Sequence, residues 1–301
     1  MNVHPRARDY TESEFDHLID NESELTAGVR IEPGKSYGFF TDTTLCIGCK
    51  ACEVACKEWN SLPAENIGLT GESYDNTGAL SATTWRHVAF VERISENGER
   101  VTEMPPFQSN WLMMSDVCKH CSPAPCLDAC PTGAIFRTEF DTVVVQQDIC
   151  NGCGYCVPAC PFGVVEVNEH DGKAHKCTLC YDRLKGGLEP ACAKSCPTDS
   201  IQFGEIEELQ SRAQKRVESL HEKGVTNAYL YGAPDTPGAT GGIDHLNAFF
   251  LLTAEPEVYN FPQAPTRPHR RFAPTLGAGL GAVALLAVAA TVLMGSGGRR
   301  A

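Results

Sequence analysis

The alternation of apolar and polar positions defines few elements, and most are short. Tyr37–Thr41 reads as a strand, as do Thr142–Val145 and Leu246–Leu252. Thr83–Ile94 alternates as a half-buried strand does, Glu96-Asn97-Gly98-Glu99 supplies a hairpin turn, and Val101–Met104 would return along it. From Glu205 to Lys223 the apolar residues Ile206, Leu209, Ala213, Val217 and Leu220 fall on one stripe, predicting a packing helix that Gly224 stops. Residues 61–84 and the Gly-, Pro- and Thr-rich 232–242 read as loop.

Two segments fall outside this pattern. Thr275–Met294 is apolar, with no charge between Arg271 and Arg299. About 20 apolar residues span a bilayer, so the stretch predicts one C-terminal transmembrane helix. Its Gly277, Gly279 and Gly281, with many alanines, would let another helix approach closely. Arg267, Arg270 and Arg271 on one side balance Arg299 and Arg300 on the other, leaving its orientation open. At the other end, Asp9, Glu12, Glu14, Asp16, Asp20, Glu22 and Glu24 crowd together with few apolar residues. Alone this segment would be disordered, though it could wrap a partner. No apolar run near Met1 marks a secretory signal.

A chain of 301 residues with 42% hydrophobic content needs something besides its own side chains to fill its interior. The 16 cysteines supply it, in four groups of four: Cys46, Cys49, Cys52, Cys56; Cys118, Cys121, Cys126, Cys130; Cys150, Cys153, Cys156, Cys160; and Cys177, Cys180, Cys192, Cys196. Disulfides suit short secreted scaffolds, which have no need of quartets. Zinc sites usually set two C-x₂-C pairs on either side of a longer loop. The third group runs C-x₂-C-x₂-C-x₃-C-P, ending at Pro161, which is the bacterial ferredoxin spacing for [4Fe–4S] clusters. Three cysteines on a tight loop reach three irons of one cluster, while the fourth, turned away by proline, reaches a second cluster.

The first group repeats this spacing with Lys57 in place of the proline, and Gly48 fits a close approach of backbone to inorganic sulfur. The second is spaced x₂, x₄, x₃, its wider loop held by Pro123 and Pro125. His120 within it is read as lying beside the cluster or at the surface, since four cysteines already complete the ligand set. The fourth opens an eleven-residue middle gap and taken alone is the most zinc-like. However, Cys130-Pro-Thr-Gly-Ala-Ile135 and Cys196-Pro-Thr-Asp-Ser-Ile201 are near copies, an internal repeat whose two tails should fold alike. Spacing leaves the pairing of motifs open: starts 32 apart (second with third) and 27 apart (third with fourth) both suit a two-cluster unit.

Charge narrows the function. A formal charge of -13 argues against a nucleic-acid partner. Four oxidised cubanes would add roughly -8. Lys50, Lys57, Lys119, Lys176, Arg183 and Lys194, beside the motifs, would offset part of this and raise cluster potentials. There is no nucleophile–base pair, no C-x-x-C-H haem site and no nucleotide loop; Gly34-Lys35-Ser36 lacks the earlier glycine of a P-loop, where Val29 stands. Several centres in one chain suit a wire, and a membrane helix would put one end of it near quinone or a membrane haem.

The chain resembles the iron–sulfur (β) subunits of membrane-bound formate dehydrogenases, within the four-cluster subunits of molybdenum or tungsten oxidoreductases. The resemblance rests on the four motifs, on Leu45–Asn60 as a block, Tyr74-Asp-Asn76 with Leu80-Ser-Ala82, Cys177-Thr-Leu-Cys180, Glu189-Pro-Ala-Cys192 and the C-terminal helix, and it spans about residues 37–294. It implies an α+β fold of two nested ferredoxin-like dicluster units plus one C-terminal transmembrane helix. The boundaries would be an acidic segment over 1–36, one unit over 37–60 and 165–204, an inserted unit over 61–164, an extension over 205–274 and the membrane helix over 275–294.

On that resemblance Cys46, Cys49, Cys52 and Cys196 hold one cluster, and Cys177, Cys180, Cys192 and Cys56 its neighbour. Cys118, Cys121, Cys126 and Cys160 hold a third, and Cys150, Cys153, Cys156 and Cys130 a fourth, all [4Fe–4S] because every position is cysteine. It also implies a bis-pterin molybdenum or tungsten catalytic subunit that oxidises formate, and a cytochrome b that passes electrons to quinone. The chain would be a single-pass protein of the cell membrane. Its soluble part would face away from the cytoplasm, having crossed with a signal-bearing catalytic partner. The competing readings are the same wire in a nitrate, sulfoxide or polysulfide enzyme, and a zinc-stabilised membrane adaptor.

Overall fold

The computed structural model describes residues 30–64, 68–69, 71, 74–92, 111–267 and 281–290. At its centre is a four-stranded sheet built from chain segments far apart in sequence. Strand β1 (Tyr37–Asp42) is buried along its whole length. It lies antiparallel to β9 (Ile201–Glu205), with Tyr37 opposite Glu205, and parallel to β12 (Ala248–Leu252), with Phe39 opposite Ala248. Strand β10 (Tyr229–Tyr231) completes the sheet against β12. The apolar run Ala248-Phe-Phe-Leu-Leu252 is buried on both faces, as an inner strand with a parallel neighbour should be. Tyr37 stacks on Phe203, with ring centroids 5.7 Å apart, and Phe40 on Phe249 at 5.4 Å. Gly38 is obligatory here, since a Cβ would meet the Asn247 carbonyl oxygen at 1.7 Å.

This sheet fixes the first and last cysteine motifs together. β1 runs out towards Cys46, and β9 begins just after Cys196, so their antiparallel pairing brings the two motifs to one end of the sheet. Helix α6 (Ile206–Glu222) packs on β1 and β9 through Ile206, Leu209, Ala213, Val217 and Leu220, the stripe that its periodicity predicts.

The intervening chain forms small two-stranded ladders: β2 (Arg86–Glu92) with β3 (Trp111–Val117), β4 (Cys121–Ser122) with β11 (His245–Leu246), β5 (Ile135–Arg137) with β6 (Val143–Val145), and β7 (Glu166–Val167) with β8 (Ala174–His175). The strand expected over 83–94 starts at Arg86, because Thr83 and Thr84 are held in a turn by the Ser81 hydroxyl. The expected turn at 96–99 and return over 101–104 lie outside the described residues; the described partner of β2 is Trp111–Val117. The single strand expected over 246–252 breaks at Asn247, whose side-chain amide donates to the Asp141 carbonyl at 2.8 Å, so its two halves pair with different strands.

The acidic cluster over residues 9–24 lies outside the described residues. Of the expected membrane helix, residues 281–290 are described; they are helical and exposed throughout. Among the described residues no helix is long and apolar enough to cross a membrane.

Candidate metal centres

In each motif a helical turn carries the third cysteine, and the x₃ spacing sets the fourth one turn further on. Helix α1 (Ala51–Trp59) carries Cys52 and Cys56. The short helices α2 (Pro125–Asp128), α3 (Cys156–Ala159) and α5 (Ala191–Lys194) begin at or contain Cys126, Cys156 and Cys192, four residues before Cys130, Cys160 and Cys196. Helix α4 (Tyr181–Lys185) fills the long middle gap of the fourth motif, starting directly after Cys180. α1 packs on α5, and α2 on α3. The loops before these helices curl through left-handed residues, among them Gly48 at φ +67° and Gly152 at φ +72°.

The structure gathers the sixteen thiols into four groups. Cys46, Cys49, Cys52 and Cys196 line one cavity with Ser115 and Thr198. Cys56 lies among Cys192, Cys177 and Cys180; Cys121 among Cys160, Cys118 and Cys126; and Cys156 among Cys130, Cys150 and Cys153. In every group three cysteines of one motif meet the last cysteine of another, the sets that the resemblance implies. All sixteen are free thiols. Among the described residues no three His, Cys, Asp or Glu side chains are gathered tightly enough to hold a single ion. A tetrahedral zinc with bonds of about 2.3 Å would draw its sulfurs to within about 4 Å of one another. A polynuclear cluster spreads them, because each thiolate binds a different iron.

The lining is rich in hydrogen-bond donors. The Leu179 amide donates to Cys177 Sγ at 3.2 Å, and the Ala174 amide to Cys150 Sγ at 3.5 Å. Burial pushes most of the thiols up: Cys52 and Cys126 to about 12, Cys156 to about 11, and Cys56 and Cys177 further. Cys130 is the exception. Burial opposes ionisation there too, but the Thr132 hydroxyl and the amides of Ile135, Thr132 and Ala134 outweigh it and pull the thiol down.

Three cations are fully buried beside the groups: Arg86, Lys119 and Lys176. Lys119 donates to the Val117 carbonyl at 2.8 Å, pairs with Asp116, and lies 4.3 Å from the centroid of Phe261. Lys176 donates to the carbonyls of Val143 and Cys177; burial works against its charge, and Cys118, Cys126, Cys177 and Cys160 outweigh that. Arg86 Nη2 donates to Cys192 Sγ at 3.1 Å.

Among the described residues two buried side-chain nitrogens have no partner, Arg86 Nε and His120 Nε2. His120 is buried, not superficial. Its Nδ1 accepts the Val143 amide hydrogen at 3.0 Å, which assigns the ring proton to Nε2 as a further unused donor. Thiols in fours, amide hydrogens aimed at sulfur, and buried cations and donors lacking acceptors fit a polyanionic iron–sulfur core.

Of the cations beside the motifs, Lys50 instead pairs with Glu53, Lys57 holds the carbonyls of Pro63 and Thr83, and Arg183 lies over Trp59 and donates to the Glu189 carbonyl. No local sequence signal marks Arg86, which sits in a strand about thirty residues from the nearest motif.

Exposure ranks the groups. Cys49 and Cys153 are exposed, while Cys118, Cys121, Cys126, Cys177, Cys180, Cys192 and Cys56 are buried. Exposed apolar side chains lie within five residues of each exposed cysteine, Ile47 and Val54 for Cys49, and Ile149 and Tyr155 for Cys153.

The chain is similar to known iron–sulfur proteins. A family described as a 4Fe-4S dicluster domain matches residues 109–206, and a second family of the same description matches 45–134. The two overlap over the second motif. The formate dehydrogenase iron–sulfur subunit of Haemophilus influenzae is 41% identical over 226 residues, 74% of this chain and 68% of the relative. The formate dehydrogenase-O iron–sulfur subunit of Escherichia coli is 40% identical over the same share of this chain and 70% of its own length. A subunit of the E. coli anaerobic dimethyl sulfoxide reductase is 38% identical over 58% of this chain and 77% of its own length. With its 4Fe-4S dicluster domains and this extent of identity, the chain belongs to the family of formate dehydrogenase iron–sulfur subunits.

Proposed function

We propose that this chain is the electron-transfer subunit of a membrane-bound formate dehydrogenase and that each of its four cysteine groups holds one [4Fe–4S] cluster. The ligand sets are Cys46, Cys49, Cys52 and Cys196; Cys177, Cys180, Cys192 and Cys56; Cys118, Cys121, Cys126 and Cys160; and Cys150, Cys153, Cys156 and Cys130. The observation that carries this reading is the crossing of motifs, with three cysteines of one meeting the last cysteine of another in every group. Packing of α1 on α5 and of α2 on α3 supports two nested dicluster units.

Bound there, the clusters supply one-electron carriage. The chain's own residues supply thiolate ligands, amide hydrogens on sulfur, and buried positive charge. Exposure supports an order along the path. The group containing Cys49 lies at one end and that containing Cys153 at the other, with the two buried groups between, joined where Cys177 approaches Cys118. The exposed apolar residues of these two motifs, Ile47 and Val54 in one and Ile149 and Tyr155 in the other, support docking faces at the two ends. One takes a bis-pterin molybdenum or tungsten catalytic subunit, the other a membrane cytochrome b that reduces quinone. Ten exposed helical residues over 281–290, inside an uncharged stretch, support a single membrane anchor. The soluble part faces away from the cytoplasm.

The test is to isolate the chain with its partners and assay formate-dependent quinone reduction, with protease access in sealed vesicles reading the side. The similarity to a dimethyl sulfoxide reductase subunit supplies a second reading, over the smaller share of the chain. A complex that turns over a sulfoxide and never formate would replace the first reading with the second.

A further inference from the structure

Arg86 opens strand β2 and is 1% exposed. Its Nη2 donates to Cys192 Sγ at 3.1 Å. Its Nη1 donates to the Ser115 carbonyl and hydroxyl, each at 3.3 Å, and that hydroxyl lies 3.2 Å from Cys52 Sγ. The guanidinium lies 4.7 Å from the centroid of Phe39. Cys52 and Cys192 belong to different cysteine groups, so one cation reaches both, Cys192 directly and Cys52 through the Ser115 hydroxyl.

The chemistry of this arrangement is unusual. A guanidinium stays charged at every accessible pH, so it cannot escape burial by losing a proton. A buried cation requires a countercharge. None of the ion pairs among the described residues involves Arg86. One of its nitrogens, Nε, has no acceptor at all. The anions left to balance it are the sulfurs of the two groups.

We infer that Arg86 is a positioning residue serving as the shared countercharge of the two clusters held through Cys52 and Cys192, so that it raises both reduction potentials together, with the Ser115 hydroxyl carrying its influence to Cys52. This rests on the reading that the groups hold clusters. An added electron makes a cluster more negative, so a nearby fixed cation favours the reduced form of each. The cation comes from the β2–β3 hairpin, between the first and second motifs, and not from either motif it serves. The charge therefore reaches its site only when this hairpin is docked on α1.

The experiment uses the complex with its catalytic partner, in unaltered form and as Arg86→Gln, Arg86→Lys and Ser115→Ala. Iron per chain is measured first, then midpoint potentials by EPR-monitored redox titration. For Arg86→Gln with full iron, two midpoints should fall together. The fall should lower the reduced-to-oxidised ratio of each at least tenfold at fixed potential, about 59 mV for one electron, with the other two unmoved. Arg86→Lys, which keeps the charge, should recover more than half of that shift. Ser115→Ala should move one midpoint only. A packing role alone would lower thermal stability in Arg86→Gln and leave all the midpoints in place, and that result, or an equal movement of all of them, overturns the inference. If Arg86→Gln loses iron, Ser115→Ala decides: one midpoint moving supports the inference and none moving overturns it. Absence of iron from the unaltered complex would sink the cluster reading itself.

Discussion

Gly48 and Gly152 stand at the same place in their motifs, two residues after the first cysteine, yet alanine should affect them very differently. Both adopt the left-handed conformation, at φ +67° and +72°. An ordinary residue there costs about 1–2 kcal/mol. At Gly48 the added methyl meets Met113 Sδ and Phe90 Cε1, each at 2.7 Å. These are side-chain ends, and methionine repacks readily. At Gly152 it meets the backbone carbonyl oxygen of Gly172 at 2.0 Å, in the turn between β7 and β8. That oxygen can yield only if the turn lifts, and such overpacking adds about 1–3 kcal/mol. Gly152→Ala should therefore cost about 2–5 kcal/mol, concentrated on the loop holding Cys150 and Cys153, against about 1–2 kcal/mol for Gly48→Ala. Iron per chain and EPR after dithionite reduction read the outcome. Gly152→Ala should lose the iron of one cluster, falling from about 16 to about 12 per chain, while Gly48→Ala keeps nearly all of it. Equal iron in the two variants would refute the steric argument.

Three further outcomes follow from the same geometry. Cys156→Ser should remove one cluster and stop formate-dependent electron flow, with assembly of the complex read by size-exclusion; normal turnover would place that cluster off the path. Lys176→Met removes a buried charge from beside Cys118, Cys126, Cys160 and Cys177, where an effective dielectric of about 20 makes a unit charge several ångströms away worth roughly 2 kcal/mol. Potentials on both sides of the unit junction should fall, by about 100 mV where the charge acts fully on a single electron, and unchanged redox titrations would contradict this. In the iron-free chain, burial holds Cys52 and Cys126 near 12 and Cys156 near 11, above the ordinary thiol value of 9.0. Thiols raised by folding stabilise the fold below their unfolded value and lose that contribution as pH climbs through the folded one. Denaturant titrations should accordingly show the iron-free chain weakening from about pH 9 towards 11–12; a flat profile over that window would oppose it.

The four cysteine quartets and the amphipathic helix were legible because spacing encodes them, whereas the crossing of motifs was implied only by the family resemblance. Leu209, Ala213, Val217 and Leu220 bury as their period requires, and the x₃ interval sends Cys52 and Cys56 from one helix into two groups. What could not be read are relations between distant segments. The parallel pairing of β1 with β12 joins residues about two hundred positions apart, and no local pattern announces it. The break at Asn247 depends on Asp141, more than a hundred residues earlier. Arg86 is hidden for the same reason: Ser115 meets it only once β2 has paired with β3, and Cys192, about a hundred residues away, only in the folded chain. A surface position for His120 is equally compatible with its local sequence, and only the fold shows that the Val143 amide claims its ring.

If the sixteen thiols cage iron–sulfur cubes, anaerobically purified chain must carry them, and counting its iron, acid-labile sulfide and zinc decides the matter. Four cubanes predict about 16 irons and about 16 sulfides per chain, with low-temperature EPR signals after dithionite. A colourless, EPR-silent chain without iron, or one carrying about four zincs, would show that the thiols hold no such cubes.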